Sequence, residues 1–480
     1  MKKNILYYGD CLEVMEGLPD NSVDLIYLDP PFNSKADYNI LFGARQGGGD
    51  GDDLAQLTAF TDTWEWDEKA ALRVEMMTRA VSHPAHRAIR AFGELYPDGS
   101  GTFSYLSYMA ERIAMMPRLL KDTGSVYLHC DPTASHYLKI VMDSVFGAKN
   151  FRNEIVWCYR GAGYPKKDFG RRHDIIFRYT AGDDYLFNLD AVRGDYAPAT
   201  KARFRHYIGN VRKGGDYGEQ SLNPKGKHPD DWWAIQPIAP SSKERLGYPT
   251  QKPLALLERI VQASSNPGGL VLDPFCGCGT TIEAAHLLKR DWIGIDISAY
   301  AIEVVRRERM RDLNISIAGI PKDLKGAADF AKRNPFDFEK WAVTRIPGFA
   351  PNKAQRGDGG IDGRARIFQG DKNHSLCIAQ VKGGAPGIDS LRAFSSIIAG
   401  GAVAIGVFIT LEKWETPSVK KCISQAGTFK RGETKFNRLV MYSIAEYFEG
   451  AEPKLPALAH PRTGEAMQAE IRPHQTPPGN

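Results

Sequence analysis

The chain has 480 residues, with 62 Lys+Arg against 57 Asp+Glu and a formal net charge of +5. Apolar residues make up 42% and aromatics 10%, enough to fill more than one core, which excludes wholesale disorder; the length corresponds to roughly three domains. The 7 cysteines are scattered without a C-x-x-C, which argues against a disulfide framework or zinc module. The longest apolar run, residues 402–410, reaches about half a membrane span. A protein of a reducing cytoplasm, with no membrane partner, is expected. The mild basicity is compatible with nucleic acid without arguing for it alone.

In chain order, Ile5 to Tyr8 is a short apolar run ended by Gly9-Asp10, and residues 11–17 suit a helical turn. Val23 to Leu28 is a second apolar run, stopped by Asp29-Pro30-Pro31, so the chain opens β-α-β. Residues 36–100 read as an insertion, loosest over 43–60, where Gly47 to Asp53 is all glycine and aspartate. Helical spacing returns over 104–120 and leads to a strand at 125–129. Over 180–245 the periodicity weakens and basic residues mix with aromatics, including Arg203, Phe204, Arg212, Trp232 and Trp233. Alternation resumes with a helix at 254–264, a strand at 270–272, a helix at 281–288 and a strand at 292–295. Residues 321–335 read as a linker, 336–450 as a second α/β unit, and 451–480 as a flexible tail. Residues 402–410 are most simply a buried strand of that second unit.

The sharpest segment is Val271-Leu272-Asp273-Pro274-Phe275-Cys276-Gly277-Cys278-Gly279-Thr280-Thr281. A buried strand enters a glycine turn and then a helix, whose N-terminal N–H groups and nearby bare backbone suit a ligand. Alone it could be a structural turn. Asp296 follows Gly279 by 17 positions, at the end of the next apolar run, placed to accept from ribose hydroxyls. The G-x-G-x-x-G dinucleotide pattern is absent, so NAD is not favoured.

Asp273 to Thr280 resembles the S-adenosyl-L-methionine-binding motif of DNA amino-methyltransferases, and Tyr248-Pro249-Thr250-Gln251-Lys252-Pro253 is similar to the motif preceding it in that family. The resemblance covers about residues 1–320. It implies a Rossmann-like methyltransferase fold and a cofactor site made of Asp10, Asp273, Phe275, Gly277, Gly279, Thr280 and Asp296. Gly277 and Gly279 would face the methionine part, Asp296 would hold the ribose, and Asp10 would accept from the adenine amino group.

Asp29-Pro30-Pro31-Phe32 supplies the catalytic candidate. An exocyclic base amine is conjugated with its ring and is a poor nucleophile. Two acceptors, the Asp29 carboxylate and the Pro30 carbonyl, would draw its nitrogen toward tetrahedral geometry. Pro31 helps keep that carbonyl aimed, and Phe32 offers a face for a flipped base. The motif order, catalytic before cofactor, resembles the β group of amino-methyltransferases. It makes 180–245 the candidate target-recognition region on double-stranded DNA. The family form D-P-P-[YFW] leans toward adenine N6, with cytosine N4 as the alternative.

In the second unit, Asp362 precedes Gln380 by 18 positions, and Gln380 and Lys382 share one face of a strand. An acid, a second oxygen ligand and a lysine can bind Mg²⁺ and activate water. The segment 336–448 resembles the Mrr-type branch of the PD-(D/E)xK restriction endonucleases, in which Glu339 would add to the metal site. Gln380 in place of an acid removes a charge. The alternatives are a unit that only binds DNA, or a whole chain that is a non-catalytic relic. A homodimer is compatible with either. The histidines show no metal spacing, and His173-Asp174 reads as structural.

Overall fold

The computed structural model describes residues 1–31, 64–161, 165–204, 221–248, 250–352, 360–370, 374–459 and 466–467, and the backbone alone of 37–41, 56–61, 209–212 and 215–219. Val, Leu, Ile and Tyr dominate the strands on both faces, as a parallel sheet covered on both sides requires. These strands are β1 (Ile5–Tyr8), β2 (Val23–Leu28), β3 (Leu120–Cys130), β4 (Phe151–Cys158), β5 (His173–Thr180), β6 (Trp232–Ala234), β7 (Leu270–Asp273), β8 (Asp291–Asp296) and β9 (Ser316–Ala318). They form one nine-stranded sheet in the order β6-β4-β5-β3-β2-β7-β8-β1-β9. Only β5 runs antiparallel to its neighbours.

Helices cover the sheet. In Gly101–Leu119, Ser100 accepts from the Phe103 N–H to cap the first turn. Phe103, Leu106, Met109, Ala110, Ile113 and Met116 form its buried stripe, and Pro117 lies in its last turn. Inside the stretch read as an insertion, the chain forms an antiparallel hairpin, Asp37–Leu41 with Gln56–Thr61, and the helices Glu68–Arg79 and His86–Leu95.

The second unit has a five-stranded sheet of β10 (Ala350–Pro351), β11 (Gly363–Phe368), β12 (His374–Lys382), β13 (Ile405–Thr410) and β14 (Leu439–Ser443), in that order. β13 is buried along its whole length, as its apolar run requires.

Two expectations change here. The stretch read as a linker carries the helix Leu324–Arg333, capped by Asp323. Its buried face, Ala327, Phe330 and Ala331, packs between the two units. Phe330 meets Tyr8 of β1 edge-on at 5.8 Å and touches Phe338 and Trp341 of the helix Pro335–Val343. One apolar cluster therefore runs from the first sheet into the second. The charged residues that gave the stretch its linker look occupy the other face. The start of the tail is also packed: Leu458 and Ala459 are buried, and Leu458 bridges Ile367 of β11.

Candidate active site

β2 and β7 pair in parallel, Leu25 beside Val271 and Ile26 beside Leu272. The segments that leave them, Asp29-Pro30-Pro31 and Asp273-Pro274-Phe275, therefore emerge at the same edge of the sheet. Ligands of open α/β sheets bind in the crevice outside such strand ends. A pocket lies there, with Asp10, Asp29, Pro30, Pro31, Asp273, Phe275, Gly277, Thr280 and Asp296 in its wall. Phe32 lies outside the described residues.

Of the two turn glycines, Gly277 lies in the pocket wall, whereas Gly279 does not and faces Val305. Gly277 holds φ at 49°, and its N–H donates to Asp296 Oδ2 at 2.8 Å. Gly279 holds φ at 79°, and a Cβ there would lie 2.8 Å from a Val305 methyl. Both positions need the left-handed freedom of glycine. Asp273 Oδ1 accepts from the Phe275 N–H at 3.1 Å, and Asp296 Oδ1 accepts from the Ser298 N–H at 2.7 Å. These bonds aim both carboxylates while leaving lone pairs for a ligand. Burial, with the charges of Asp29 and Asp296 adding to it, pushes the Asp273 carboxyl up to about 7. Burial raises Asp296 to about 6.

Asp10 stands on the pocket wall with its carboxylate already engaged. It caps the helix Cys11–Glu16 through the Leu12 N–H at 2.9 Å, and both oxygens meet Arg112 Nη2, at 2.8 and 2.5 Å. The Arg112 guanidinium lies 3.3 Å from the centre of the Tyr108 ring. Any ligand amine at Asp10 shares it with Arg112, a partner the local sequence did not reveal.

At the catalytic motif, Lys252 Nζ donates to Asp29 Oδ2 at 2.6 Å and to the Thr250 carbonyl at 3.2 Å. Lys252 is 7% exposed. Thr250 holds a left-handed φ of 59°, sparsely populated for a β-branched residue. Asp29 Oδ1 is buried and has no hydrogen-bond donor among the described residues. Asp29 is also one of the residues in the pocket wall. Lys252 has no catalytic role in the sequence reading; a lysine just before proline in a segment without helical pattern was the available signal.

The structure also brings His129 and Asp174 behind Asp29. Tyr27 Oη and His129 Nδ1 are 2.9 Å apart, and His129 Nε2 and Asp174 Oδ2 are 3.1 Å apart. The Tyr159 hydroxyl donates to Asp174 Oδ1 at 3.2 Å. His129 Nδ1 lies 4.0 Å from Asp29 Oδ1. The structural reading of Asp174 is therefore incomplete.

In the second unit, the Val381 N–H donates to Asp362 Oδ2 at 2.7 Å, which fixes Asp362 against β12 beside Gln380. Gln380 is 7% exposed, and its Oε1 is buried without a hydrogen-bond partner among the described residues. Lys382 ends the same strand. Glu339 sits half-buried on the helix Pro335–Val343, which packs against β12. Among the described residues, no group of three or more His, Cys, Asp or Glu is placed to hold a metal ion, and no helix is long and apolar enough to cross a membrane.

Comparison with known proteins places this geometry. A family model described as DNA methylase, covering the N6 and N4 methyltransferases, matches residues 23–307, more than half of the chain. The Type II methyltransferase M.BglII of Bacillus subtilis is 28% identical over 308 residues, 63% of this chain and 67% of its own length. The DNA adenine methyltransferase YhdJ of Escherichia coli K12 is 27% identical over 301 residues, 62% of this chain and 80% of its own length. The solved PvuII DNA methyltransferase, cytosine-N4-specific, aligns over 67% of this chain and 91% of its own, at 15% identity and a TM-score of 0.39.

Proposed function

The chain belongs to the N6/N4 DNA methylase family, and from that membership we propose that it transfers a methyl group from S-adenosyl-L-methionine to adenine N6 in double-stranded DNA. The observation that carries this reading is Asp29 Oδ1, a buried carboxylate oxygen with no donor among the described residues, on a side chain in the same pocket as Asp273, Gly277 and Asp296. When bound, the cofactor supplies a methyl group on a positively charged sulfur. Asp296 is placed for its ribose, the Gly277 turn for close backbone approach, and Asp29 with the Pro30 carbonyl for the two amine hydrogens. Aspartate, rather than serine, at the first position of the motif favours adenine. Mass spectrometry of nucleosides from DNA treated with the enzyme is expected to show N6-methyladenine. N4-methylcytosine instead would overturn the base assignment and leave the methyltransferase reading intact.

Charge supports this cofactor. Asp273 and Asp296 resist ionisation because both are buried, and Asp273 also feels the charges of Asp29 and Asp296; a cation in the pocket relieves that cost. Cofactor binding is then expected to release protons. Affinity should rise as pH climbs toward about 7, by up to ~10-fold per pH unit for each proton released. Isothermal titration of the enzyme in buffers of different protonation heat reads both quantities. A flat affinity over that window, with no proton released, would remove the electrostatic argument.

For the second unit we propose Mg²⁺-dependent DNA cleavage, supported by Asp362 held beside the buried Gln380 Oε1, unpaired among the described residues, and by Lys382 at the end of the same strand. Asp362 and Gln380, with Glu339, would hold the ion, and Lys382 would orient water or offset phosphate charge. Purified enzyme with Mg²⁺ is expected to cut unmodified or premethylated DNA, and Lys382→Ala to lose that cutting while keeping methyl transfer. Intact DNA in every arm, with methyl transfer preserved, would make this unit a DNA-binding module.

A further inference from the structure

Methyl transfer to an amine leaves a proton to be disposed of, and Asp29 is its nearest carboxylate. Behind Asp29 stands a histidine that is fully buried. His129 comes from β3, Asp174 from the antiparallel β5, and Tyr27 from β2. The Trp157 ring of β4 packs edge-on against the imidazole, with centroids 5.5 Å apart and planes at 85°. The titratable and charged groups facing this cluster are Tyr27 from β2 and Asp29 just after it, Cys130 at the end of β3 and Asp131 after it, Asp174 from β5 with Arg172 before it, Tyr159 following β4, Asp273 at the end of β7, and Lys252 from the segment before the helix Leu254–Ser264.

The hydrogen bonds assign the proton positions. Burial works to raise the Asp174 carboxyl, but hydrogen bonds from His129 and the Tyr159 hydroxyl, with the nearby Lys252 ammonium, hold it below the usual carboxylate range. An ionised Asp174 accepts, so His129 Nε2 carries hydrogen. In the neutral ring Nδ1 is then an acceptor, and it receives the Tyr27 hydroxyl. Nδ1 is also the ring atom that faces Asp29, at 4.0 Å from Oδ1, while Lys252 secures the other oxygen.

We propose that His129 and Asp174 form a positioning and proton-accepting pair behind Asp29, serving the amine methylation carried out at this site. The amine lone pair forms the new bond to the methyl carbon, and the carbon–sulfur bond breaks with its electron pair remaining on sulfur. The nitrogen, now cationic, loses one proton to Asp29 Oδ1. The Tyr27 hydroxyl releases its hydrogen bond to His129 Nδ1, that nitrogen takes the proton from Asp29, and the resulting imidazolium donates to the Tyr27 oxygen and is held by the Asp174 carboxylate. It leaves to water past Asp174, whose side chain is 14% exposed, and Tyr159. Asp29 is thereby returned to its ionised form. The pair serves adenine or cytosine equally, so it rests on the family's chemistry and not on the choice of base.

His129→Gln tests this. Glutamine can keep a donor toward Asp174 and an acceptor toward Tyr27, but it takes up no proton. Using labelled S-adenosylmethionine and unmodified plasmid DNA, kcat is expected to fall on the order of 10²-fold. KM for DNA and cofactor affinity should stay within about twofold, and the pH profile of kcat should change shape. Asp174→Asn is expected to reduce kcat by about tenfold with the same split. An unchanged kcat, or a loss confined to KM, would overturn the proposal. Nitrogen-15 NMR of the wild-type histidine rings needs no variant to fold and no turnover. A neutral His129 bearing hydrogen on Nδ1 rather than Nε2 would overturn it as well. Wild-type transfer that ignores His129 sinks the pair alone. Failure of the wild type to methylate any DNA, with the cofactor bound, sinks the reading on which the pair rests.

Discussion

Asp29→Asn is expected to lower methyl transfer on the order of 10³-fold while leaving cofactor affinity within about threefold. Asparagine keeps an oxygen for an amine hydrogen but loses the negative charge that stabilises a nitrogen turning cationic, and it cannot take the released proton. The charge matters here because the site is buried, where it is screened far less than in water. Asp29 follows β2 and is not part of the glycine turn that leaves β7, although it shares the pocket with it, so cofactor affinity is the internal control. Lys252 is buried against the same carboxylate, and its uncompensated charge will also cost stability. Single-turnover rates at a temperature well below the variant's melting point separate the two effects. A variant that transfers methyl groups at more than a tenth of the wild-type rate would remove Asp29 from the chemistry.

Glu303→Ala is expected to destabilise the whole chain by about 3–5 kcal/mol. Glu303, on the helix Ala299–Val304, is 6% exposed, and its carboxylate meets Arg306, Arg307 and Arg345. Arg345 follows the helix Pro335–Val343 and is 3% exposed. Removing the carboxylate leaves a buried guanidinium beside two further cations. At roughly 2–4 °C per kcal/mol, the melting temperature should fall by about 10 °C. Burial opposes ionisation of Glu303, but the three arginines outweigh it and hold the carboxyl far below its ordinary value of 4.5. Its stabilisation is therefore complete above that value and is lost as pH falls below it. Calorimetry of Glu303→Gln should show a shallower loss of stability between about pH 4.5 and pH 3 than the wild type. Equal slopes would show that the cluster does not contribute to acid sensitivity. The helix of Glu303 follows Asp296 and Ser298 of the pocket, so the Glu303–Arg345 pair, like the Tyr8–Phe330 contact, links the first sheet to the helices that lead into the second unit.

Much of the candidate site was legible along the chain because its parts are local. A strand–turn–helix with glycines at 277 and 279 can be recognised from spacing alone, since the backbone conformation those positions require is available mainly to glycine. Asp29-Pro30-Pro31 and Asp296 announce themselves as polar stops to apolar runs, and the structure has them where β2 and β8 end. The helix Leu324–Arg333 was missed because its apolar face is short and made partly of alanines. Only packing against Tyr8 and Trp341 gives that face a role.

The sequence by itself determined the strands that frame the pocket, β1, β2, β7 and β8, and which acids stand where they end, because these depend on residues a few positions apart. Tertiary structure decided what the acids face. Lys252 reaches Asp29 across 223 positions, and Arg345 reaches Glu303 across 42. Asp174 meets His129 because β5 runs antiparallel beside β3 and its register sets His129 against Ile176. Sheet order and register are fixed by the burial of many apolar side chains at once. No short stretch of sequence carries that sum, and the partners of buried charges follow from it.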